Sequence, residues 1–167
     1  MTRKFILASA SSLALLAAVP ALAQSNTSTV TQTGTNGTVG VGQTGSNATS
    51  TVTQGGDRNA ATVNQAGNGA ESIVQQDNGT GSSDDQNVAI VTQTGDSYSR
   101  VRQTNDFARA TVTQTGDSHS SEVQQSGDLD VATVAQSGTD QTSDINQSGN
   151  LNSADVSQSD LGNESFV

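Results

Sequence analysis

Twelve glutamines recur along this chain at a nearly constant spacing, and their side chains can both donate and accept hydrogen bonds. They are Gln32, Gln43, Gln54, Gln65, Gln76, Gln93, Gln103, Gln114, Gln125, Gln136, Gln147 and Gln158. Nine of the eleven intervals between them are eleven residues long, one is ten and one is seventeen. A primary amide carries two N–H donors and an acceptor oxygen. Amides repeated in register therefore predict a hydrogen-bonded ladder of the kind found in cross-β structures.

Two further positions repeat with each glutamine. A β-branched aliphatic residue lies two positions before it: Val30, Val41, Val52, Val63, Val74, Val91, Val101, Val112, Val123, Val134, Ile145 and Val156. Glycine usually lies two positions after it: Gly34, Gly45, Gly56, Gly67, Gly95, Gly116, Gly127, Gly138 and Gly149. Elsewhere this place holds Asn78, Asn105 or Asp160, types that tolerate turns. The pattern predicts a strand followed by a turn in every unit, with valine and glutamine on one face.

The position four before each glutamine alternates strictly between serine and alanine from Ser50 onward. The series is Ser50, Ala61, Ser72, Ala89, Ser99, Ala110, Ser121, Ala132, Ser143 and Ala154, and Ser165 continues it. The true period is therefore twenty-two residues, made of two similar half-units. Strand, turn, strand, turn gives one coil, and stacked coils give two facing parallel sheets. The sequence predicts an all-β fold: a two-sheet parallel β-solenoid of about six and a half coils, roughly 30 Å tall at the strand spacing of ~4.8 Å.

Composition and charge agree with a narrow interior and exclude several classes of function. The 167-residue chain has three Phe, one Tyr, no Trp and no Cys, so neither a large aromatic core nor disulfides can hold it together. The net charge is −10 for the whole chain, which is not the footprint of a nucleic-acid-binding protein. We expect no cofactor.

The first 23 residues have the pattern of a secretory signal peptide. Arg3 and Lys4 precede an apolar stretch from Phe5 to Val19, and Ala21-Leu22-Ala23 provides a cleavage site before Gln24. We predict an exported, extracellular chain with no membrane span after cleavage, whose residues 24–167 form the repeat domain. Residues 77–87, "DNGTGSSDDQN", fill the seventeen-residue interval and predict an enlarged loop.

Other chemistry finds less support in the sequence. His119 is the single histidine, and nothing predicts a cleft that would pair it with an acid, so an enzyme is not expected. Asp57, Asp96, Asp106, Asp117 and Asp128 all lie three positions after a glutamine, where they could bind Ca²⁺ or simply favour turns. "TVT" at 29–31, 51–53 and 111–113 suggests, as a further alternative, outward threonine pairs of an ice-binding solenoid.

The repeat resembles the curlin repeat of curli subunits, which are secreted proteins that assemble into bacterial surface amyloid. The family half-repeat, Gln-x-Gly-x-x-Asn-x-Ala-x-Φ-x-Gln with Φ aliphatic, is matched by "QGGDRNAATVNQ" (54–65) and "QSGNLNSADVSQ" (147–158). The resemblance implies a self-assembling fibre subunit for biofilm matrix and surface adhesion. It also implies a second curlin-type subunit as partner and a secretion and assembly apparatus. Residues 24–56 contain no charged residue, so we expect the first coil to be a neutral edge able to receive another molecule.

Overall fold

The computed structural model describes residues 25–77 and 86–167, which form thirteen short strands and no helix. No helix in this part of the chain could therefore span a membrane. The signal peptide predicted for residues 1–23 lies outside the described residues. The strands are β1 (Thr27–Gln32), β2 (Thr38–Gln43), β3 (Thr49–Gln54), β4 (Ala60–Gln65), β5 (Glu71–Asp77), β6 (Val88–Thr94), β7 (Tyr98–Thr104), β8 (Arg109–Asp117), β9 (Ser120–Gln125), β10 (Val131–Thr139), β11 (Thr142–Gln147), β12 (Ser153–Gln158) and β13 (Glu164–Phe166).

The strands alternate between two parallel sheets, as the twenty-two-residue period requires. Sheet A contains the seven odd-numbered strands in the order β1 to β13, and sheet B contains the six even-numbered strands in the order β2 to β12. Each strand pairs with the strand one coil away, and every pairing is parallel. The predicted two-sheet parallel β-solenoid is confirmed.

The register places equivalent residues of successive coils side by side. Ser50 pairs with Ser72 in sheet A, and Ala61 pairs with Ala89 in sheet B. The two half-units of the repeat therefore build different sheets, a serine sheet and an alanine sheet. Ser143 pairs with Ser165, so the series continues into β13 as the sequence predicts.

The core consists of the inward valine, isoleucine and alanine columns between the two sheets. Every valine or isoleucine of the repeat from Val52 to Ile145 is fully buried, and Val156 is 5% exposed. Val30 and Val41, in the first coil, are partly buried and pack against the same cluster. These small and β-branched side chains fill the space between the facing sheets together with the buried glutamine columns.

The two irregular intervals leave the strand register intact. The predicted loop at residues 77–87 lies outside the described residues between 78 and 85; at its borders Asp77 ends β5 and Val88 begins β6. The ten-residue interval shortens the turn between Gln93 and Tyr98, yet Ser72 still pairs with Ser99. The strands on either side of both intervals therefore keep the register of the repeat.

Candidate functional site

The predicted glutamine ladder is present in both sheets. In sheet A the Nε2 of each glutamine donates to the Oε1 of the glutamine in the next coil, over 2.8–3.0 Å, from Gln32 to Gln147. The same bond runs over 2.9–3.0 Å in sheet B from Gln43 to Gln158. From Gln54 onward all of these side chains are at most 8% exposed. A buried amide is costly unless it is bonded, so each coil depends on the glutamines of its neighbours.

From Gln43 onward each of these amides also ties the two sheets together. The second Nε2 proton goes to the backbone carbonyl of the first residue of a strand in the opposite sheet, as from Gln54 to Thr38 (3.2 Å) and from Gln114 to Tyr98 (2.9 Å). The same contact recurs up to Gln158 and Thr142 (2.9 Å). This cross-sheet bond was not predicted, because the sequence shows which residues repeat but not which carbonyl faces them.

Both ladders run in one direction, so the two ends of the solenoid are chemically different. Every amide donates towards the C-terminal coil, which leaves the Oε1 atoms of Gln32 and Gln43 at one end and an Nε2 proton of Gln147 and Gln158 at the other. We call the outer edges of β1 and β2 the N-terminal end face. The C-terminal end face consists of the outer edges of β12 and β13 and the end of β11, at Gln147, that the short β13 leaves uncovered. Apart from β11, these strands are the outermost ones of the described sheets. One end face therefore offers amide acceptors and the other amide donors.

The repeated glycines allow the turns of neighbouring coils to touch. A Cβ atom on Gly45 would lie 1.7 Å from the carbonyl oxygen of Gly67, and one on Gly127 would lie 1.5 Å from that of Gly149. Neither Gly45 nor Gly127 has a positive φ. For these two glycines, close backbone approach between coils is what excludes a side chain. Five other glycines of the repeat do have a positive φ, between 77° and 123°, as expected of turn glycines: Gly56, Gly95, Gly116, Gly138 and Gly149.

A second position of the turn with positive φ lies four residues after the glutamine. It is occupied by Asn36, Asn47, Arg58, Phe107, Ser118, Leu129, Asp140 and Leu151, all with φ between 56° and 63°. Asparagine and aspartate adopt this conformation readily, whereas phenylalanine and leucine do so at a cost. Gly69 and Gly162 hold the same place with φ of 80° and 69°. Phe107, Leu129 and Leu151 are exposed, and their residue types do not indicate the conformation.

A further inward column lies at the corners, at the residue just before each strand. Asn59 Oδ1 accepts the backbone N–H of Asn87 (2.9 Å), and Asn87 Oδ1 accepts that of Ala108 (2.8 Å). Asn26 does the same for Ala48 (2.9 Å), and Asp130 for Asn152 (2.9 Å). The curlin half-repeat that this sequence resembles also has an asparagine at this position. Its role in bonding the corner of one coil to the next is visible only in the three-dimensional structure.

The turn aspartates are engaged in bonds between coils. Asp57 Oδ1 accepts both the hydroxyl (2.6 Å) and the backbone N–H (3.1 Å) of Thr35, and these two bonds lower the pKa of Asp57 below its ordinary value of 3.8. Asp117 accepts the N–H of Asp96 (3.1 Å), and Asp128 accepts that of Asp106 (3.3 Å). In residues 25–77 and 86–167 no group of three or more His, Asp or Glu side chains could hold a metal ion.

His119 belongs to the corner column and not to a cleft. It is 2% exposed, and its Nε2 lies 3.2 Å from the carbonyl oxygen of Thr115 in its own turn. Asp130 occupies an equivalent buried place at the opposite corner. The structure thus does not bring the single histidine together with an acid and a nucleophile in an open site.

The outward face of sheet A carries a charge column. Arg100, Glu122 and Asp144 are neighbours in register, and Arg100 Nη1 lies 3.5 Å from Glu122 Oε1. Tyr98 lies beside this column; its partial burial raises its pKa, and Arg100 opposes the shift. The outward threonine pairs 29/31 and 51/53 are neighbours on sheet A, whereas the pair 111/113 lies on sheet B. Consecutive threonine pairs therefore span two coils only.

Comparisons with protein-family models, with curated proteins and with solved structures return no match for this chain.

Proposed function

We propose that this protein is a structural subunit of an extracellular, curli-like amyloid fibre that assembles by stacking molecules end to end. The observation that carries the proposal is the polarity of the two glutamine ladders. The N-terminal end face presents the acceptors of Gln32 and Gln43, and the C-terminal end face presents the donors of Gln147 and Gln158. Unlike ends that complement each other make a heterologous contact, which continues as a filament.

The backbone of the end strands supports the same association. Thr27 and Thr33 donate their N–H groups to the carbonyl oxygens of Ala48 and Gln54, on the inner side of β1. Donors alternate along a strand, so the N–H groups of Ser28 and Val30 point to the open edge. An open edge strand is a template for another strand. Within the described residues only turns and strands lie at the two end faces.

Charge distribution favours contact between opposite ends. Residues 24–56 carry no charge, whereas Asp155, Asp160 and Glu164 lie in the last coil. Joining two C-terminal end faces would bring these acids together, while joining opposite ends places them against neutral residues. The sequence resemblance to curlin repeats points to the same assembly.

The remaining parts of the proposal follow from the signal-peptide pattern and the resemblance. The mature chain, from Gln24, is exported and acts outside the cell as a homopolymer in matrix and adhesion. A second curlin-type subunit and a secretion and assembly apparatus are its proposed partners. It uses no cofactor and has no enzymatic role, since its repeated residues are structural.

Seeded assembly tests this proposal. Thioflavin-T fluorescence of the purified chain from Gln24 is followed with and without sonicated preformed fibres. We expect a lag phase that seeds abolish. A folded monomer that gives a flat trace with and without seeds would overturn the proposal.

A variant of the open edge makes the test specific. Ser28→Pro removes a donor that points away from β3, so it leaves the inner pairing of β1 in place and obstructs addition of a strand. We expect Ser28→Pro to slow seeded elongation at least tenfold, and its matched control Ser28→Ala to elongate at the rate of the unchanged chain.

A further inference from the structure

We propose that neighbouring molecules in the fibre are related by half a turn about the fibre axis, so that sheet A of one molecule continues into sheet B of the next. The inference rests on the proposed end-to-end fibre and adds its symmetry. It follows from the odd number of strands that residues 25–77 and 86–167 form, seven in sheet A and six in sheet B.

Strand heights along the axis show why. Successive strands climb by half a coil and alternate between the sheets, so β12 ends sheet B half a coil below β13, which ends sheet A. The next strand of an uninterrupted solenoid would lie in sheet B, one spacing beyond β12. Placing β1 of a second copy there requires rotating that copy by half a turn, after which its β2 falls one spacing beyond β13. All strands then remain parallel.

Stacking without rotation leaves a hole. With β1 of the second copy on β13, its β2 would lie two spacings, about 9.6 Å, beyond β12. One strand of sheet B would be missing at every junction, and the N–H and C=O groups on both sides of the hole would have no strand partner. Unmade backbone hydrogen bonds are costly at a buried junction.

Side chains at the junction fit the rotated arrangement. Phe166 points outward on β13 and is 68% exposed. Extending the register of β13 with half-turn stacking puts Gly40 of the second copy beside it, and a Cβ at Gly40 would meet nothing within 4 Å. An aromatic ring beside a strand glycine covers backbone that the glycine exposes. Without rotation the neighbour of Phe166 would be Thr29, which offers no such space.

The ladder of sheet B and the corners also continue, whereas the ladder of sheet A is interrupted, because β13 contains no glutamine between Gln147 and the second copy's Gln43. β12 receives β1 with Gln158 beside Gln32, so the last donor of sheet B meets the first acceptor of sheet A. At the corners, Asn152 and Asn163 precede β12 and β13. Each asparagine would accept a backbone N–H of the second copy, from Asn26 and Gly37 respectively, as Asn59 does for Asn87 within the molecule.

Helical reconstruction of fibres of the chain from Gln24 by electron cryo-microscopy tests the inference. The half-turn arrangement predicts a rise of six and a half coils, about 31 Å, per molecule, with sheet A of neighbouring molecules on opposite faces of the fibre. Fibres whose subunits repeat without rotation, at about 34 Å, would overturn the half turn and leave the fibre proposal standing. Absence of fibres would overturn both.

Two deletions change the parity of the stack. Removing residues 126–136 leaves twelve strands, so we expect neighbours without rotation at about 29 Å. Removing residues 126–147 leaves eleven strands, and half a turn should return at about 26 Å. Equal rotation in both variants would contradict the inference. If neither variant folds, the rotation and rise measured for fibres of the unchanged chain decide between the two arrangements.

Discussion

At the scale of single residues, the glutamine side chain is the part of this protein whose chemistry is most constrained. Each buried amide from Gln54 to Gln136 donates both protons, one along its column and one to the opposite sheet, as Gln103 does. Replacing one such amide by an apolar side chain of similar shape is destabilising, because the glutamines above and below it are left with an unpaired donor and an unpaired acceptor.

The first prediction concerns an interior rung of the ladder. Gln103→Leu removes the partner of Gln76 Nε2 and of Gln125 Oε1, and we expect it to lower the free energy of unfolding by roughly 2–5 kcal/mol. Urea denaturation of the unassembled chain measures this. Gln124→Leu, on the outward face of the adjacent strand β9, serves as control and should change stability by less than about 1 kcal/mol. Equal effects of the two variants would refute the structural role of the ladder.

The second prediction concerns acid. Because the pKa of Asp57 is lowered in the folded chain, its bonds to Thr35 stabilise the first coil above the ordinary pKa of 3.8 and are lost as the pH falls through the lowered pKa. We expect amide exchange at Thr35 to lose protection relative to the core below about pH 4.

The turn of the next half-unit provides a control within the same molecule. Ser46 makes the equivalent two bonds to Asn68 Oδ1, at 2.7 and 3.2 Å, and an amide oxygen does not titrate. Protection at Ser46 should therefore not change over this pH range, and Asp57→Asn should remove the pH dependence at Thr35. Parallel loss at both residues would contradict the assignment.

At the scale of strands and turns, the sequence predicts much of the fold because its signals repeat. The inward serine, alanine, valine and glutamine columns fix the face of each strand, and two distinguishable half-units fix which strands share a sheet. The backbone conformation of the turns is harder to predict from the sequence. The left-handed place holds Leu129 and Leu151 as well as Asn36, so the solenoid imposes a backbone conformation that the residue types do not favour.

The third prediction concerns close contact between turns. Gly45→Ala would place a Cβ 1.7 Å from the carbonyl oxygen of Gly67, and we expect a loss of about 1–3 kcal/mol in the free energy of unfolding as the coils separate locally. Gly40→Ala is the matched control. Its Cβ would meet open space, so stability should stay the same or rise by up to about 1 kcal/mol. A tolerated Gly45→Ala would show that the turns can move apart freely.

The fourth prediction concerns the charge column of sheet A. Glu122 and Asp144 are like charges in register, which oppose strand pairing, whereas Arg100 and Glu122 attract each other. We expect Glu122→Gln combined with Asp144→Asn to shorten the lag phase of assembly, and Arg100→Gln to lengthen it. An unchanged lag in the double variant would show that this column does not restrain fibre growth.

At the scale of the whole molecule, the fold has a direction. The ladders, the neutral first coil and the acidic last coil all distinguish the N-terminal end face from the C-terminal one. The sequence already indicates an uncharged first coil and about six and a half coils, but the polarity of the amides emerges only when the coils are stacked. Two unlike ends that stack along one axis make an open filament and not a ring, which is the assembly that we propose.

X-ray diffraction from the aligned product of assembly tests this account most directly. The purified chain from Gln24 is incubated at micromolar concentration, sedimented and dried between two capillaries. End-to-end stacking predicts filaments with a meridional reflection near 4.7–4.8 Å and an equatorial one near 10 Å. A β-rich chain that stays at the mass of a single molecule over the same period, with no filaments and no such reflections, would contradict it.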